Sequence, residues 1–165
     1  MTHGSAAHSE PGPSRLDILV VDDDRDTREM YAEYFRWQGC DVREAADTGS
    51  ALELAFECPP SVIIMDLSLP QIGGVEAVQR LRRDPRTASV PVIICTAYLP
   101  GDRAIRALTA AGYNAYITKP VLPQELFTEI GRALHDPERT GGRGRGLLPQ
   151  GCPRYGCCNV VRRES

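Results

Sequence analysis

The chain has 165 residues, of which 42% are hydrophobic and 25% charged, a composition that suits one ordinary domain with a single core. No apolar run approaches the roughly 20 residues that cross a bilayer, and the N-terminus lacks the basic and apolar segments of a secretory signal, so we expect a cytoplasmic protein. The formal net charge of −3 conceals an acidic body, residues 15–136 with 19 acidic and 13 basic side chains, followed by a basic tail.

Five short apolar runs predict the strands of one sheet: LDILVV (16–21), the weaker CDVRE (40–44), SVIIM (61–65), VPVIIC (90–95) and YNAYI (113–117). Continuous Val and Ile runs of this length favour strands that are buried on both faces, which is typical of a parallel sheet. Helical patterns separate the runs, at 26–39, around 51–56, and at 75–83, 102–111 and 124–134. Five strands alternating with five helices predict a doubly wound α/β domain with right-handed crossovers.

The first two helices carry recognisable start signals. One face of the first helix is predicted to hold four apolar side chains, Met30, Tyr31, Tyr34 and Phe35. Asp26 with Glu29 could form a capping box, and helix capping is also the favoured role of Asp24. Asp47 can cap the second helix, which Pro59 and Pro60 then end.

Both ends of the chain differ in composition from the body. Residues 1–14 and 137–165 show no helical or strand periodicity, and we expect both to be disordered. The six cysteines are not expected to form a disulfide framework, because Cys95 ends an apolar run that should be buried and Cys40 and Cys58 lie at the ends of predicted elements. The tail sequence CPRYGCC lacks paired spacing and a following histidine, so an incidental Cys-rich tail is favoured over a zinc site.

Polar residues follow four of the predicted strands. Asp22-Asp23-Asp24 follow the first, Asp66 the third, Thr96 the fourth, and Thr118 with Lys119 the fifth. Ligands bind beyond the carboxyl ends of the strands in open parallel sheets. Each residue alone could be a turn former or a helix cap. Their convergence at one edge, together with a lysine that is the only one in the chain, favours a binding site.

Clustered carboxylates repel one another unless a cation lies among them. Oxygen ligands with open coordination positions suit Mg²⁺, which often has a phosphate as partner. A carboxylate beside Mg²⁺ and a lysine could attack a phosphoryl group and form an aspartyl-phosphate. A hydroxyl such as that of Thr96 could then hydrogen-bond a phosphoryl oxygen.

Four motifs carry a resemblance to a known family: ILVVDD (18–23), IIMDLSLPQIGG (63–74), IICTA (93–97) and YITKP (116–120). In this order and at strand ends, they make residues 15–136 resemble the receiver domain of two-component response regulators. The resemblance implies a flavodoxin-like (βα)5 fold with helices on both faces of a five-stranded parallel sheet. It also implies that Asp66 is the phosphoacceptor, that Asp23 holds Mg²⁺ directly and Asp22 chiefly through water, and that Asp66 and the backbone carbonyl of Ser68 complete the protein ligands.

The same resemblance assigns the switch residues. Thr96 and Lys119 would contact the phosphoryl oxygens, and Tyr116 would turn inward when Thr96 is drawn to the phosphate. The Lys119–Pro120 peptide bond would be cis. Pro70 and Gly74 would shape the loop after the acceptor, while Ser68 and Tyr98 occupy positions that tune phosphate lifetime.

The resemblance further implies partners. A histidine kinase or histidine phosphotransfer protein would donate the phosphoryl group, and a downstream protein would read the face built by 102–111, 113–117 and 124–134, through which a homodimer could also form. The 29 residues from Pro137 onward are too few for an output domain, so a stand-alone receiver is expected.

Three other functions compete with this interpretation. The first is an enzyme. A phosphatase of the haloacid-dehalogenase type uses an aspartate nucleophile but would need a second Asp where Ser68 stands. A nucleotide-binding enzyme is disfavoured because neither glycine-rich motif of such enzymes follows the first strand. A protein-interaction module that never uses the acidic cluster stays open. The GGRGRG run (141–146) supports at most weak, non-specific nucleic-acid contact.

Overall fold

A computed structural model of the chain describes residues 15–69, 73–97 and 101–135. Strands and helices alternate in it, and the five strands form one parallel sheet in the order β2-β1-β3-β4-β5. The fold class predicted from the sequence, a doubly wound flavodoxin-like domain, is confirmed. The elements are β1 (Asp17–Val21), α1 (Arg25–Trp37), β2 (Asp41–Ala45), α2 (Thr48–Glu57), β3 (Val62–Met65), α3 (Gly74–Arg83), β4 (Val92–Thr96), α4 (Asp102–Ala111), β5 (Ala115–Thr118) and α5 (Pro123–His135).

The core lies on both faces of the sheet, as the continuous apolar runs predicted. All residues of β3 and β4 are buried. On one face, side chains such as Leu19 and Ile63 pack against α2, α3 and α4. On the other, side chains such as Ile18 and Ile64 pack against α1 and α5. Alternate residues of the central strands therefore supply two apolar layers, and this fixes the register of each strand.

The helix starts agree with the sequence in part. Asp47 caps α2 by accepting a hydrogen bond from the Ser50 amide, as predicted. The N-cap of α1 is Asp24, which accepts from the Thr27 amide, so the capping box assigned to Asp26 and Glu29 is wrong. Asp24 and Asp26 both carry a carboxylate that can cap a helix, and the sequence alone does not show which of them precedes the first helical residue.

One predicted core position is also wrong. The helical pattern places Met30 with Tyr31, Tyr34 and Phe35 on one apolar face of α1, but Met30 is 44% exposed, whereas Tyr31 and Phe35 are buried. Met30 lies at the edge of the helix stripe, and its side chain lines the open cleft beside Lys119.

Some predictions fall outside the described residues. These are the two tails, Pro70 and Tyr98. Within the described ranges, no helix combines the length and the apolar character that a membrane crossing requires.

The strand order explains where a site must lie. From β1 the chain moves outward to β2 and then returns past β1 to β3, so the order reverses between β1 and β3. A crevice opens at such a reversal, at the carboxyl ends of the strands. Asp22 follows β1 and Asp66 follows β3, so the two residues flank this point.

Arg82 ties together the opposite end of the domain. Its guanidinium donates to the carbonyls of Val90 (2.8 Å) and Gly112 (3.0 Å) and to the Asn114 side-chain oxygen (3.0 Å). Burial lowers the pKa of Arg82, and no carboxylate among the described residues forms an ion pair with it. One cation thus joins the end of α3 to the α3–β4 loop, the C-cap of α4 and the residue before β5.

Replacing Arg82 by alanine should lower the free energy of unfolding by roughly 2–3 kcal/mol, because several carbonyl groups lose a charged donor together. Urea denaturation followed by circular dichroism measures this difference. Arg83→Ala is the matched control, since Arg83 is exposed and has no partner among the described side chains, and it should change stability by less than about 0.5 kcal/mol. Equal denaturation midpoints for the two variants would contradict the structural role of Arg82.

Candidate functional site

Three residues at the carboxyl edge are held by the backbone ladder itself. The Asp22 amide donates to the Ala45 carbonyl, the Asp66 amide to the Val21 carbonyl, and the Lys119 amide to the Thr96 carbonyl. Each residue therefore extends the pairing of its strand by one position beyond the regular sheet. Their backbones are as firmly placed as the strands that they follow.

The Lys119 ammonium lies between two carboxylates. Its Nζ is 2.5 Å from Asp22 Oδ2 and 2.7 Å from Asp66 Oδ2. The side chains of Asp22 and Asp66 are 5% and 6% exposed, and that of Lys119 is 16% exposed. Because these charges are mostly withdrawn from water, their attraction is screened far less than that of a surface ion pair.

The two carboxylates differ in their pKa. Burial raises the pKa of Asp22, and the hydrogen bond from Lys119 offsets only part of this effect. Burial acts in the same direction on Asp66, but hydrogen bonds from Lys119 and from the Ser68 amide (2.8 Å) outweigh it and leave the pKa of Asp66 lowered. Asp66 is therefore an ionised carboxylate at neutral pH, which is the form required of a nucleophile.

Lys119 remains charged for the complementary reason. Burial alone would lower its pKa, but hydrogen bonds to Asp22 and Asp66 raise it well above its ordinary value. The site therefore keeps a permanent positive charge beside the Asp66 oxygen.

Thr96 and Ser68 lie next to this group. Thr96 is the last residue of β4 and is 1% exposed, and its side chain makes a small contribution to lowering the pKa of Asp66. The Ser68 hydroxyl is 3.3 Å from the Thr96 hydroxyl. Tyr116 is half-buried on the neighbouring strand, against the core layer that includes α4. Thr118 is exposed, and its side chain makes no hydrogen bond to this cluster within the described chain.

The acidic residues fit a divalent cation. Ligand oxygens of Asp22, Asp23 and Asp66 all lie within 4.8 Å of one another. Asp23 is exposed and has no hydrogen-bond or ion-pair partner among the residues that the structure describes. Three carboxylates face one ammonium, so the cluster keeps an excess of negative charge that a hard cation with oxygen preference would balance.

Gly74 is placed by a close backbone approach after the acceptor position. A Cβ at Gly74 would lie 2.6 Å from a methyl group of Leu67 and 3.3 Å from the Leu67 Cα. A side chain at this position would require the Leu67 side chain to move and its backbone to shift by a few tenths of an ångström, so this close approach favours glycine at the start of α3. The Lys119–Pro120 peptide bond is cis.

Sequence reasoning missed two supporting residues. Tyr31, assigned only to the apolar face of α1, donates its hydroxyl hydrogen to the Val121 carbonyl (3.1 Å) and so holds the segment after Pro120 against α1. Arg28 donates to the Asp22 carbonyl at 2.7 Å. A polar atom on an otherwise apolar face was the available signal for Tyr31, but its partner is 90 residues away in the chain.

The comparison with protein-family models matches residues 18–131 to the response regulator receiver domain. The chain belongs to this family. Receiver domains of two-component systems are phosphoacceptor signalling modules rather than conventional enzymes, they bind Mg²⁺ in an acidic pocket, and they interact with histidine kinases and downstream effectors. The acidic cluster of this receiver domain lies at the sheet edge described above.

Curated relatives agree with the family assignment. The receiver domain is 37% identical over 124 residues to the phosphate regulon transcriptional regulatory protein PhoB of Pseudomonas aeruginosa, a match that covers 75% of this chain and 52% of PhoB. It is also 37% identical to an uncharacterised 14.6 kDa protein of Leptolyngbya boryana, over 69% of this chain and 86% of that protein. The chain thus spans about half the length of PhoB, whose remainder has no counterpart in the match.

Solved structures show the same fold. The chemotaxis response regulator CheY4 of Vibrio cholerae superposes with a TM-score of 0.67 at 27% identity, covering 72% of this chain and 98% of CheY4. The receiver domain of a sensor histidine kinase of Pseudomonas aeruginosa superposes with a TM-score of 0.66 at 30% identity, over 74% of this chain and 99% of that domain. That structure has a magnesium ion coordinated in its active site cleft.

Proposed function

We propose that this receiver domain is a phosphorylation-activated switch that accepts a phosphoryl group on Asp66 from a phosphohistidine of a histidine kinase or histidine phosphotransfer protein. One observation carries the proposal. Asp66 is a buried, ionised carboxylate whose Oδ2 contacts Lys119 at 2.7 Å and whose neighbours Asp22 and Asp23 lie within metal-binding reach.

The transfer step uses residues that are already in place. A carboxylate oxygen of Asp66 attacks the phosphorus, a P–O bond forms, and the P–N bond to the donor imidazole breaks with its electron pair on nitrogen. Lys119 stabilises charge on the phosphoryl oxygens, and the Thr96 hydroxyl donates to one of them. An open cleft of about 320 Å³ lies beside Lys119, lined by Pro120 and residues of α1, and the donor would approach on this side.

Mg²⁺ is the cofactor that these residues suit. Asp22, Asp23, Asp66 and the Ser68 backbone carbonyl would hold it, and it would supply additional positive charge to the phosphoryl oxygens. The oxygen donors and the excess negative charge of the cluster support this assignment.

Phosphorylation would be read on the face made by α4, β5 and α5. Thr96 exchanges its contact with Ser68 for the phosphoryl group, and Tyr116, on the strand beside Thr96, follows it inward. Exposed Ile105 on α4 and Leu122 before α5 give this face apolar area for a downstream protein or a second copy. A specific nucleic-acid partner is not expected of an acidic body.

Two alternatives give different outcomes in one experiment. The protein is incubated with Mg²⁺ and a small acyl-phosphate donor, or with a phosphorylated histidine phosphotransfer protein, and the incorporated phosphate is followed. A receiver incorporates at most one phosphoryl group per chain, loses it to hydroxylamine, and incorporates none when EDTA is present. Multiple turnover of phosphate esters would indicate a phosphatase, and absence of incorporation from either donor would indicate a constitutive interaction module.

We also propose that the domain ends near Asp136 and that 137–165 is dispensable for folding and phosphoryl transfer, because this segment has no apolar periodicity. A chain truncated after Asp136 should melt within a few degrees of the full chain and incorporate phosphate equally well. Differential scanning calorimetry and the incorporation assay test both points. Loss of cooperative unfolding on truncation would place the domain boundary further along the chain.

A further inference from the structure

An aromatic surface crosses from α1 to α5 at a distance from the phosphoacceptor. Trp37 is the most exposed large apolar side chain among the described residues, with 79% of its surface accessible. Its ring centroid is 6.1 Å from that of Tyr34, and the Tyr34 centroid is 6.3 Å from that of Phe127 on α5. Both helices run from the carboxyl edge of the sheet to its amino edge, so Trp37, at the end of α1, lies at the edge opposite Asp66.

The α5 side of this surface has open space next to Gly131. Phe127, Gly131 and Leu134 lie on one face of α5 at helical spacing. A Cβ built on Gly131 would meet no atom within 4 Å, so space is open between the two larger side chains. Together, Tyr34, Trp37, Phe127, Gly131 and Leu134 form what we call the α1–α5 groove.

Beside the groove, Glu33 offers an unpaired carboxylate among the described residues. Glu33 lies one helical turn before Trp37 on α1, is exposed, and has no hydrogen-bond or ion-pair partner within the described ranges. A ligand with apolar side chains next to a positive charge would match both features of the groove.

The chain itself supplies such a ligand at a suitable distance. After His135, the last residue of α5, the sequence continues to Ser165 and includes GRGRGLL (142–148). Leu147 follows His135 by 12 residues, which span at most about 40 Å, whereas α5 is about 20 Å long. Two leucines directly after Arg143 and Arg145 combine apolar and positive groups.

We propose that the segment 142–148 binds back along the α1–α5 groove, with Leu147 and Leu148 covering Trp37 and Tyr34 and with its arginines next to Glu33. This intramolecular contact needs no independent fold of the tail and lies apart from the phosphoacceptor site. Loop closure over 12 residues costs less entropy than closure to the later pair, Val160 and Val161.

Fluorescence of the full chain tests the proposal directly, since Trp37 is the only tryptophan. The wild type should emit at shorter wavelength, and be quenched less by acrylamide, than Leu147→Ser/Leu148→Ser. Glu33→Gln should lose part of the protection at low salt, where the wild-type protection is greatest. Val160→Ser/Val161→Ser is the matched control and should resemble the wild type. All variants should incorporate phosphate normally, so a failure here is distinguishable from a failure of the proposed function.

Three results would overturn the proposal. The first is a wild-type emission spectrum and quenching constant equal to those of the leucine variant. The second is protection lost in the valine variant instead, which would make the named segment wrong. The third is protection that disappears on dilution, because a second copy and not the chain's own tail would then occupy the groove.

Discussion

Asp66→Asn should reduce phosphate incorporation by on the order of 10³-fold or more, because an amide cannot replace the carboxylate as nucleophile. No described hydroxyl or carboxylate is placed to substitute for it. Asp22 shares Lys119, but burial raises its pKa, whereas the pKa of Asp66 is lowered by its hydrogen bonds. Asp23 is exposed and does not share Lys119, whose ammonium bonds Asp22 and Asp66.

Asp26→Asn provides the matched control for this variant. Asp26 is also an aspartate near the carboxyl edge, but it lies exposed in the first turn of α1. The Asp26→Asn variant should incorporate phosphate at the wild-type rate. Incorporation is measured with a radiolabelled acyl-phosphate donor and Mg²⁺, and circular dichroism confirms that each variant is folded. Comparable labelling of Asp66→Asn and Asp26→Asn would mean that the acceptor is another residue.

Lys119→Arg should fold normally and keep its Mg²⁺ affinity within several-fold, yet fail to switch. One nitrogen of Lys119 bridges Asp22 at 2.5 Å and Asp66 at 2.7 Å. A compact ammonium with three rotatable donors can leave the Asp66 oxygen for a phosphoryl oxygen. A guanidinium is a wide planar group that would hold a carboxylate in a bidentate manner and resist this exchange.

The measurement for Lys119 separates phosphorylation from its consequence. Incorporation rate and phosphate-dependent binding of a downstream partner, or dimerisation, are compared in wild type, Lys119→Arg and Lys119→Ala. The arginine variant should incorporate slowly and show no phosphate-dependent change, and the alanine variant should be worse in both respects because Asp22 and Asp66 lose their shared cation. Arg80→Lys on α3, outside both the cluster and the face made by α4, β5 and α5, should behave as wild type. Wild-type switching by Lys119→Arg would show that positive charge alone is sufficient.

The strands were predictable because a strand that is buried on both faces must be apolar at every position. Short continuous apolar runs are therefore typical of the strands of a parallel sheet. The observed ends differ by one or two residues, for example 92–96 against the predicted 90–95. The convergence of Asp22, Asp66, Thr96 and Lys119 followed from parallel topology, which brings the carboxyl ends of strands to one edge.

Contacts between distant segments were not predictable. The hydrogen bond between Tyr31 and the Val121 carbonyl, and those of Arg82 to Gly112 and Asn114, depend on how helices sit on the sheet. Helical periodicity marked Tyr31 as apolar and gave no partner for its hydroxyl. The same limit applies to Met30, whose position on the helix stripe allowed burial but whose neighbours leave it exposed.

Chemical mapping of the phosphorylated residue tests the central claim most directly. The wild-type protein is phosphorylated with an acyl-phosphate donor and Mg²⁺, reduced with borohydride, digested and sequenced by mass spectrometry. Reduction converts an aspartyl-phosphate into homoserine, and we expect homoserine at position 66 and at no other aspartate. Homoserine at another aspartate, or incorporated phosphate with unreduced Asp66, would contradict the proposed function.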